Sequence, residues 1–205
     1  SAIRSFHTGN PPSVPTLAAP ANGALLAGPS PLFNWNNSTI PAGATFDHYQ
    51  IQIATNNTFT TIVHDLNIAG ITNSQDGTAV LNPGTTYYWR VRSWNTAGDY
   101  SVWSIVRNVK IKFNPPTLSL PAKGTTGVRL LPTFTWNAAI GATNYTLQVS
   151  KVNTFLPLVL NKTVAVPTYT ATTNLSAATT YYWRVRVNGL YGPSVWSTVF
   201  SFTTP

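Results

Sequence analysis

The sequence predicts an all-β protein made of two antiparallel β-sandwiches in tandem, and three observations carry that expectation. One segment is written twice. Tyr87-Tyr88-Trp89-Arg90-Val91-Arg92 with Ser101-Val102-Trp103-Ser104 returns as Tyr181-Tyr182-Trp183-Arg184-Val185-Arg186 with Ser194-Val195-Trp196-Ser197. The period of roughly 95 residues suits a small β domain and is too long for a solenoid repeat. Apolar and polar residues then alternate with period 2 in several short runs, and no segment shows convincing 3.6 periodicity.

The elements follow in order. Pro15-Thr16-Leu17 with Pro20-Ala21 and Gly23 opens the first copy and recurs as Pro116-Thr117-Leu118 with Pro121-Ala122 and Gly124. Pro31-Leu32-Phe33-Asn34-Trp35-Asn36 recurs as Pro132-Thr133-Phe134-Thr135-Trp136-Asn137, with Phe33 and Trp35 alternating against polar neighbours. Tyr49-Gln50-Ile51-Gln52-Ile53 recurs as Tyr145-Thr146-Leu147-Gln148-Val149, and Asn57-Thr58-Phe59 as Asn153-Thr154-Phe155. Tyr87, Trp89 and Val91 form a third alternating run, which sets Tyr88, Arg90 and Arg92 on the opposite face. Turn signals at Asn22-Gly23, Gly28-Pro29, Asp76-Gly77, Pro83-Gly84 and Ala97-Gly98 separate these runs. Short strands spaced by such turns indicate antiparallel sandwiches.

The expected boundaries are residues 15–114 for the first domain and 115–205 for the second, joined through Pro115-Pro116. Residues 1–14 read as a stray closing strand plus a linker. Ile3-Arg4-Ser5-Phe6-His7-Thr8 resembles Val199-Phe200-Ser201-Phe202-Thr203-Thr204, the closing strand of the second copy. It is either the end of an upstream repeat or a strand, centred on Ile3, Arg4 and Phe6, that completes another subunit's sheet.

Composition narrows the function classes. Charged residues make up 8% of the 205, against about 25% in ordinary soluble proteins. The acids are Asp47, Asp65, Asp76 and Asp99, with no glutamate, and there is no cysteine for a disulfide or a thiolate metal site. The net charge of +8 is uneven: residues 15–114 set five bases against four aspartates, whereas 115–205 hold six bases and no acid. Those bases are dispersed, so a nucleic-acid partner is not expected. No apolar stretch is long enough to enter a membrane, and Ser1 to Ser13 lacks the apolar segment of a signal peptide. An export signal, if the parent protein has one, lies outside this chain.

Leu81-Asn82-Pro83-Gly84-Thr85-Thr86-Tyr87, continuing through Arg90-Val91, resembles the Leu-x-Pro-Gly-Thr-x-Tyr corner before strand F of fibronectin type III domains. The second copy keeps Leu175, Thr179 and Tyr181 but has Ala177-Ala178 in place of Pro-Gly. Trp35 and Trp136 match the buried tryptophan of that family's strand B. The resemblance spans nearly the whole chain and implies two immunoglobulin-like, fibronectin type III sandwiches; it does not specify a function. It also implies tyrosine corners at Tyr87 and Tyr181, each hydroxyl bonded back to the main chain.

Arg90, Arg92 and Trp103, repeated as Arg184, Arg186 and Trp196, form the most conspicuous surface constellation. The pattern resembles the Trp-Ser-x-Trp-Ser box and arginine ladder of cytokine-receptor domains, with Tyr100 and Pro193 where the box has its first tryptophan. We read it as a structural brace, each guanidinium-on-ring contact being worth about 0.5–1 kcal/mol at an exposed site. Trp94, Tyr100 and Tyr191, in or beside the loops after these strands, are candidate ligand contacts for a sugar ring. Their polar support is thin: Asp99 and Asn95 in the first loop, Asn188 in the second.

No pattern supports catalysis. The second copy has no carboxylate for paired acid–base work, and His48-Asp47 and His64-Asp65 are strand neighbours expected on opposite faces. Three scattered histidines and four dispersed aspartates form no metal cage, and no cofactor motif is present. The chain therefore reads as a non-catalytic spacer pair of an exported, surface or secreted, multidomain protein, its partners being other domains of the array. The alternatives are a self-associating subunit using residues 3–8, and an adhesion module for polysaccharide or cell-wall polymer.

Overall fold

The computed structural model describes residues 9–70, 74–75 and 80–205. The residue 3–8 strand and the Asp76-Gly77 turn lie outside the described residues. In the first module the strands are β1 (Thr16–Ala19), β2 (Ala24–Leu26), β3 (Phe33–Asn36), β4 (Phe46–Ala54), β5 (Ile62–Ala69), β6 (Ser74–Gln75), β7 (Thr86–Asn95) and β8 (Arg107–Ile111). One sheet runs β1-β3-β6 and the facing one β2-β8-β7-β4-β5. The second module has β9 (Leu118–Leu120), β10 (Thr133–Trp136), β11 (Asn144–Ser150), β12 (Leu160–Val164), β13 (Thr168–Thr170), β14 (Thr180–Gly189), β15 (Gly192–Pro193) and β16 (Phe200–Thr203). Its sheets run β13-β10-β9 and β12-β11-β14-β15, with β16 also paired to β14. Both modules are β-sandwiches, and no helix occurs among the described residues.

Alternation builds both cores. Along β7 the residues from Tyr87 to Asn95 are buried at every second place, and β14 repeats the rhythm from Tyr181. The aromatic contacts across the sandwich repeat as well. Phe33 meets Trp89 at 4.9 Å and 60°, and Phe134 meets Trp183 at 5.2 Å and 63°. Trp35 meets Tyr49 at 5.4 Å, and Trp136 meets Tyr145 at 5.5 Å, both edge-on. Edge-on pairs exploit the ring quadrupole and add about 0.5–1.5 kcal/mol each beyond their buried area.

Packing divides the chain into two compact units. Among the described residues, one holds those from 9 up to Leu81 with Thr85–Lys110, the other Asn82–Gly84 with Ile111–Pro205. Phe113, just before the 114/115 boundary expected from the repeat, is buried in the second core.

Candidate functional site

The outer face of the five-stranded sheet in the first module carries the arginine constellation, and register explains its order. On adjacent strands Arg90 faces Gln52, Arg92 faces Gln50, and Trp94 faces His48. One strand further, Gln52 faces Asp65. Arg90 donates to Gln52 Oε1 through Nε (3.1 Å) and Nη2 (2.7 Å), and Arg92 Nε donates to Gln50 Oε1 (2.7 Å). Both glutamines pass the polarity on. Gln50 Nε2 and Gln52 Nε2 donate to the two oxygens of Asp65, at 2.6 and 2.9 Å.

The flat faces of the guanidinium groups are occupied by rings. Arg90 lies 3.9 Å from the Phe59 centroid on one side and 4.3 Å from Trp103 on the other. Arg92 lies 4.4 Å from Trp103, 4.4 Å from Tyr100 and 4.7 Å from Trp94. Trp94 is stacked in turn on His48 at 5.5 Å and 13°, and its indole N–H donates to Gln50 Oε1 (3.3 Å). Burial lowers the Arg90 pKa from its ordinary value and the neighbouring Arg92 acts in the same direction, while Asp65 opposes them.

The second module repeats the inner half of this stack and truncates the outer half. Arg184 lies 3.9 Å from Phe155 and 4.3 Å from Trp196, and donates twice to Gln148 Oε1 (3.0 and 2.8 Å). Arg186 lies 4.6 Å from Trp196. Thr146 stands where Gln50 stands in the first module, and its hydroxyl donates to Asn188 Oδ1 (3.2 Å). Arg186 Nε is consequently buried with no hydrogen-bond partner among the described residues. Burial, then the adjacent Arg186, lowers the pKa of Arg184.

The segment carrying each tryptophan, before β8 in the first module and before β16 in the second, is pinned by serine. Ser104 Oγ accepts the Val91 N–H (3.0 Å) and donates to the Ile105 carbonyl (2.9 Å); Ser197 does the same between Val185 (3.0 Å) and Thr198 (2.9 Å). Ser101 and Ser194 repeat the device one step along, at Ser93 (3.2 Å) and Val187 (3.0 Å). The residue after each serine of the first module is exposed, Val102 at 74% and Ile105 at 70%.

Every described site residue now has a position. Arg90, Arg92 and Trp103 come together, as do Arg184, Arg186 and Trp196. Trp94 belongs to the stack, with His48 on one neighbour and Arg92 on another. Tyr100 joins it at 4.5 Å from Trp94 while remaining 51% exposed. Tyr191 is half-buried in the turn between β14 and β15. Tyr181 Oη accepts the Ser176 N–H (3.0 Å), and Tyr87 is buried at the matching place. Ile3, Arg4 and Phe6 lie outside the described residues.

One expectation is corrected. Asp47 and His48 were expected on opposite faces, yet His48 Nδ1 lies 2.9 Å from Asp47 Oδ2. The register shifts between Phe46 and His48 opposite β7, and a bulge of this kind breaks strict alternation. Sequence reasoning also missed Phe59, Phe155, Gln52 and Gln148 as members of the stack. Their recurrence in both copies was the available signal. Tyr49 and Tyr145 were missed too: their hydroxyls accept the N–H of Ser38 (2.7 Å) and Ala139 (2.9 Å).

Comparison with known proteins agrees with this architecture. A family model described as the Rha78A-like, N-terminal immunoglobulin domain matches residues 16–112. No curated protein matches the chain. Among solved structures, the two-domain fibronectin type III segment of chicken tenascin aligns over 94% of this chain and 99% of its own, with 14% identity and a TM-score of 0.60. The FN1-FN3 domains of chicken CNTN1 align over 95% of this chain and 67% of theirs, with 18% identity and a TM-score of 0.43. The tenascin likeness establishes the fold: two tandem sandwiches of the fibronectin type III kind.

Proposed function

We propose that the pair is a non-catalytic spacer within a longer surface or secreted protein, a semi-rigid length that holds other domains apart. The observation that carries this reading is the use of the conspicuous side chains. Arg90, Arg92, Trp94 and Trp103 are engaged with one another and with Gln50 and Gln52, and Arg184, Arg186 and Trp196 repeat the arrangement. Rings clasped between cations stiffen a sheet and leave few faces for a ligand. The description of the matching family model as an N-terminal domain supports a place beside further domains. Pro115-Pro116 supports stiffness, since proline restricts the joining segment.

Small-angle scattering on the full chain tests the spacer reading. One compact body of this length has a radius of gyration of about 17 Å. We expect a value above about 20 Å that holds between low and high salt, as a proline-stiffened connection requires. A radius at the compact value, or one that swings with salt, would remove the reading.

A further inference from the structure

We infer that the loop pole of each module is a socket keyed to the chain segment that runs into it, polar in the first module and aromatic in the second. Each module then accepts only its own linker.

The first socket is formed by the end of β7 and the turn after it. Ser93 and Asn95 are buried on the core-facing side of that strand. Ser93 Oγ donates to the Ser13 carbonyl (2.9 Å), and Asn95 Nδ2 donates to the Asn10 carbonyl (3.0 Å) and to Asp99 Oδ2 (3.0 Å). Asp99 Oδ2 also accepts the Asn10 N–H (3.0 Å), while the Asp99 N–H returns to Asn95 Oδ1 (2.8 Å). The loop after β3 grips from the other side. Ser13 N–H donates to the Thr39 carbonyl (2.9 Å), Thr39 N–H to Ser13 Oγ (2.7 Å), and Asn10 Nδ2 to the Ala42 carbonyl (3.3 Å). Gly9 passes close beneath the carboxylate, where a Cβ would lie 3.1 Å from Asp99 Oδ1. Pro12 is buried between the two grips.

The second module supplies the independent observation. Its incoming segment has the same burial rhythm, with Phe113, Pro116, Leu118 and Pro121 buried where Pro12, Pro15, Leu17 and Pro20 are buried in the first. The chemistry is the reverse. Val187 replaces Ser93 and Gly189 replaces Asn95, and the ring of Phe113 fills the space. A Cβ at Gly189 would sit 2.5 Å from Phe113 Cδ2 and 2.7 Å from Cε2. Asparagine at 189 therefore excludes the ring, and a phenylalanine at 12 meets Asn95. The first socket fits an extended, proline-bearing peptide with polar groups at positions 10 and 13. The second fits one carrying an aromatic side chain. The order of modules is thus encoded at the joints.

Two measurements on the full chain test this. In Asp99→Ala, hydrogen exchange at the amide of Asn10 should quicken by about tenfold or more, as a charge-assisted bond is lost, with Val91 unchanged. Pro12→Phe alone should lower the melting temperature of the first module, and adding Ser93→Val with Asn95→Gly should recover at least half of the loss. Gly189→Asn should lower the second module's melting temperature and leave the first alone. The proposal is overturned if Asn10 and Ser13 exchange as free amides in the parent chain, or if Asp99→Ala leaves Asn10 protected. It is equally overturned if the added pair recovers nothing for Pro12→Phe.

Discussion

At the scale of single residues, the least conventional choice is the phenylalanine beneath each inner arginine. Phe59 and Phe155 have φ of 57° and 60°, a left-handed conformation in which an L side chain costs roughly 1–2 kcal/mol. In both modules the ring lies 3.9 Å from a guanidinium carbon. The strain and the stack come as one device: the left-handed residue turns the loop so that the ring reaches under the sheet. Substitution separates the two terms. Phe155→Ala should destabilise by about 3–5 kcal/mol, since it loses the buried ring and keeps the strain. Phe155→Gly loses the ring and relieves the strain, so it should be less damaging than alanine by about 1 kcal/mol. Urea denaturation of both variants checks the order. Alanine proving the milder change would mean that the left-handed backbone stores nothing.

At the scale of elements, the serine-pinned segment before β8 and before β16 decides how the sheet ends. A regular strand beside β7 would offer its carbonyls outward, inviting further pairing. Here each serine hydroxyl takes an amide of β7 or β14 and turns back to the carbonyl that follows it, so the edge is closed by its own side chains. Ser197→Ala should strand the buried Val185 N–H and cost about 1–3 kcal/mol. Val195→Ala, at an exposed neighbouring place, should cost no more than about 0.5 kcal/mol. Chemical denaturation measures both, and equal costs would mean that the hydroxyl is not what holds the strand. These elements also show what was legible beforehand. The repeated Tyr-Tyr-Trp-Arg-Val-Arg run announced β7 and β14, because period-2 alternation is local and survives in any window. Arginine and tryptophan were readable as partners because both recur at matching offsets. Gln52 and Phe59 recur as well, but their reach to Arg90 depends on register across the sheet and on a left-handed turn, which recurrence does not show. The Asp47–His48 contact was hidden for a similar reason: nothing in the alternation marks the bulge that allows it.

At the scale of the whole molecule, titratable groups are divided unequally between two otherwise matching folds. All four aspartates and all three histidines precede residue 115, and the second module has neither type. A stability change with pH requires a group that binds protons differently in the folded and unfolded states. Histidine and aspartate, whose ordinary values lie within or just below the range from about pH 5 to pH 9, are absent from the second module. The lowered pKa of Arg184 acts with the same restriction. A base depressed on folding makes stability rise with pH only near its own range, far above this window. The second module should therefore keep a constant unfolding free energy from pH 5 to pH 9. Any dependence shown by the chain must come from the first, which holds the histidines and the aspartates. Hydrogen exchange resolves the two, with the Val91 amide reporting on the first core and the Val185 amide on the second. Parallel curves would show that the modules unfold as one cooperative unit, with proton binding in the first felt through the second. A flat Val185 curve beside a varying Val91 curve would show that two copies of one fold keep separate stabilities within a single chain.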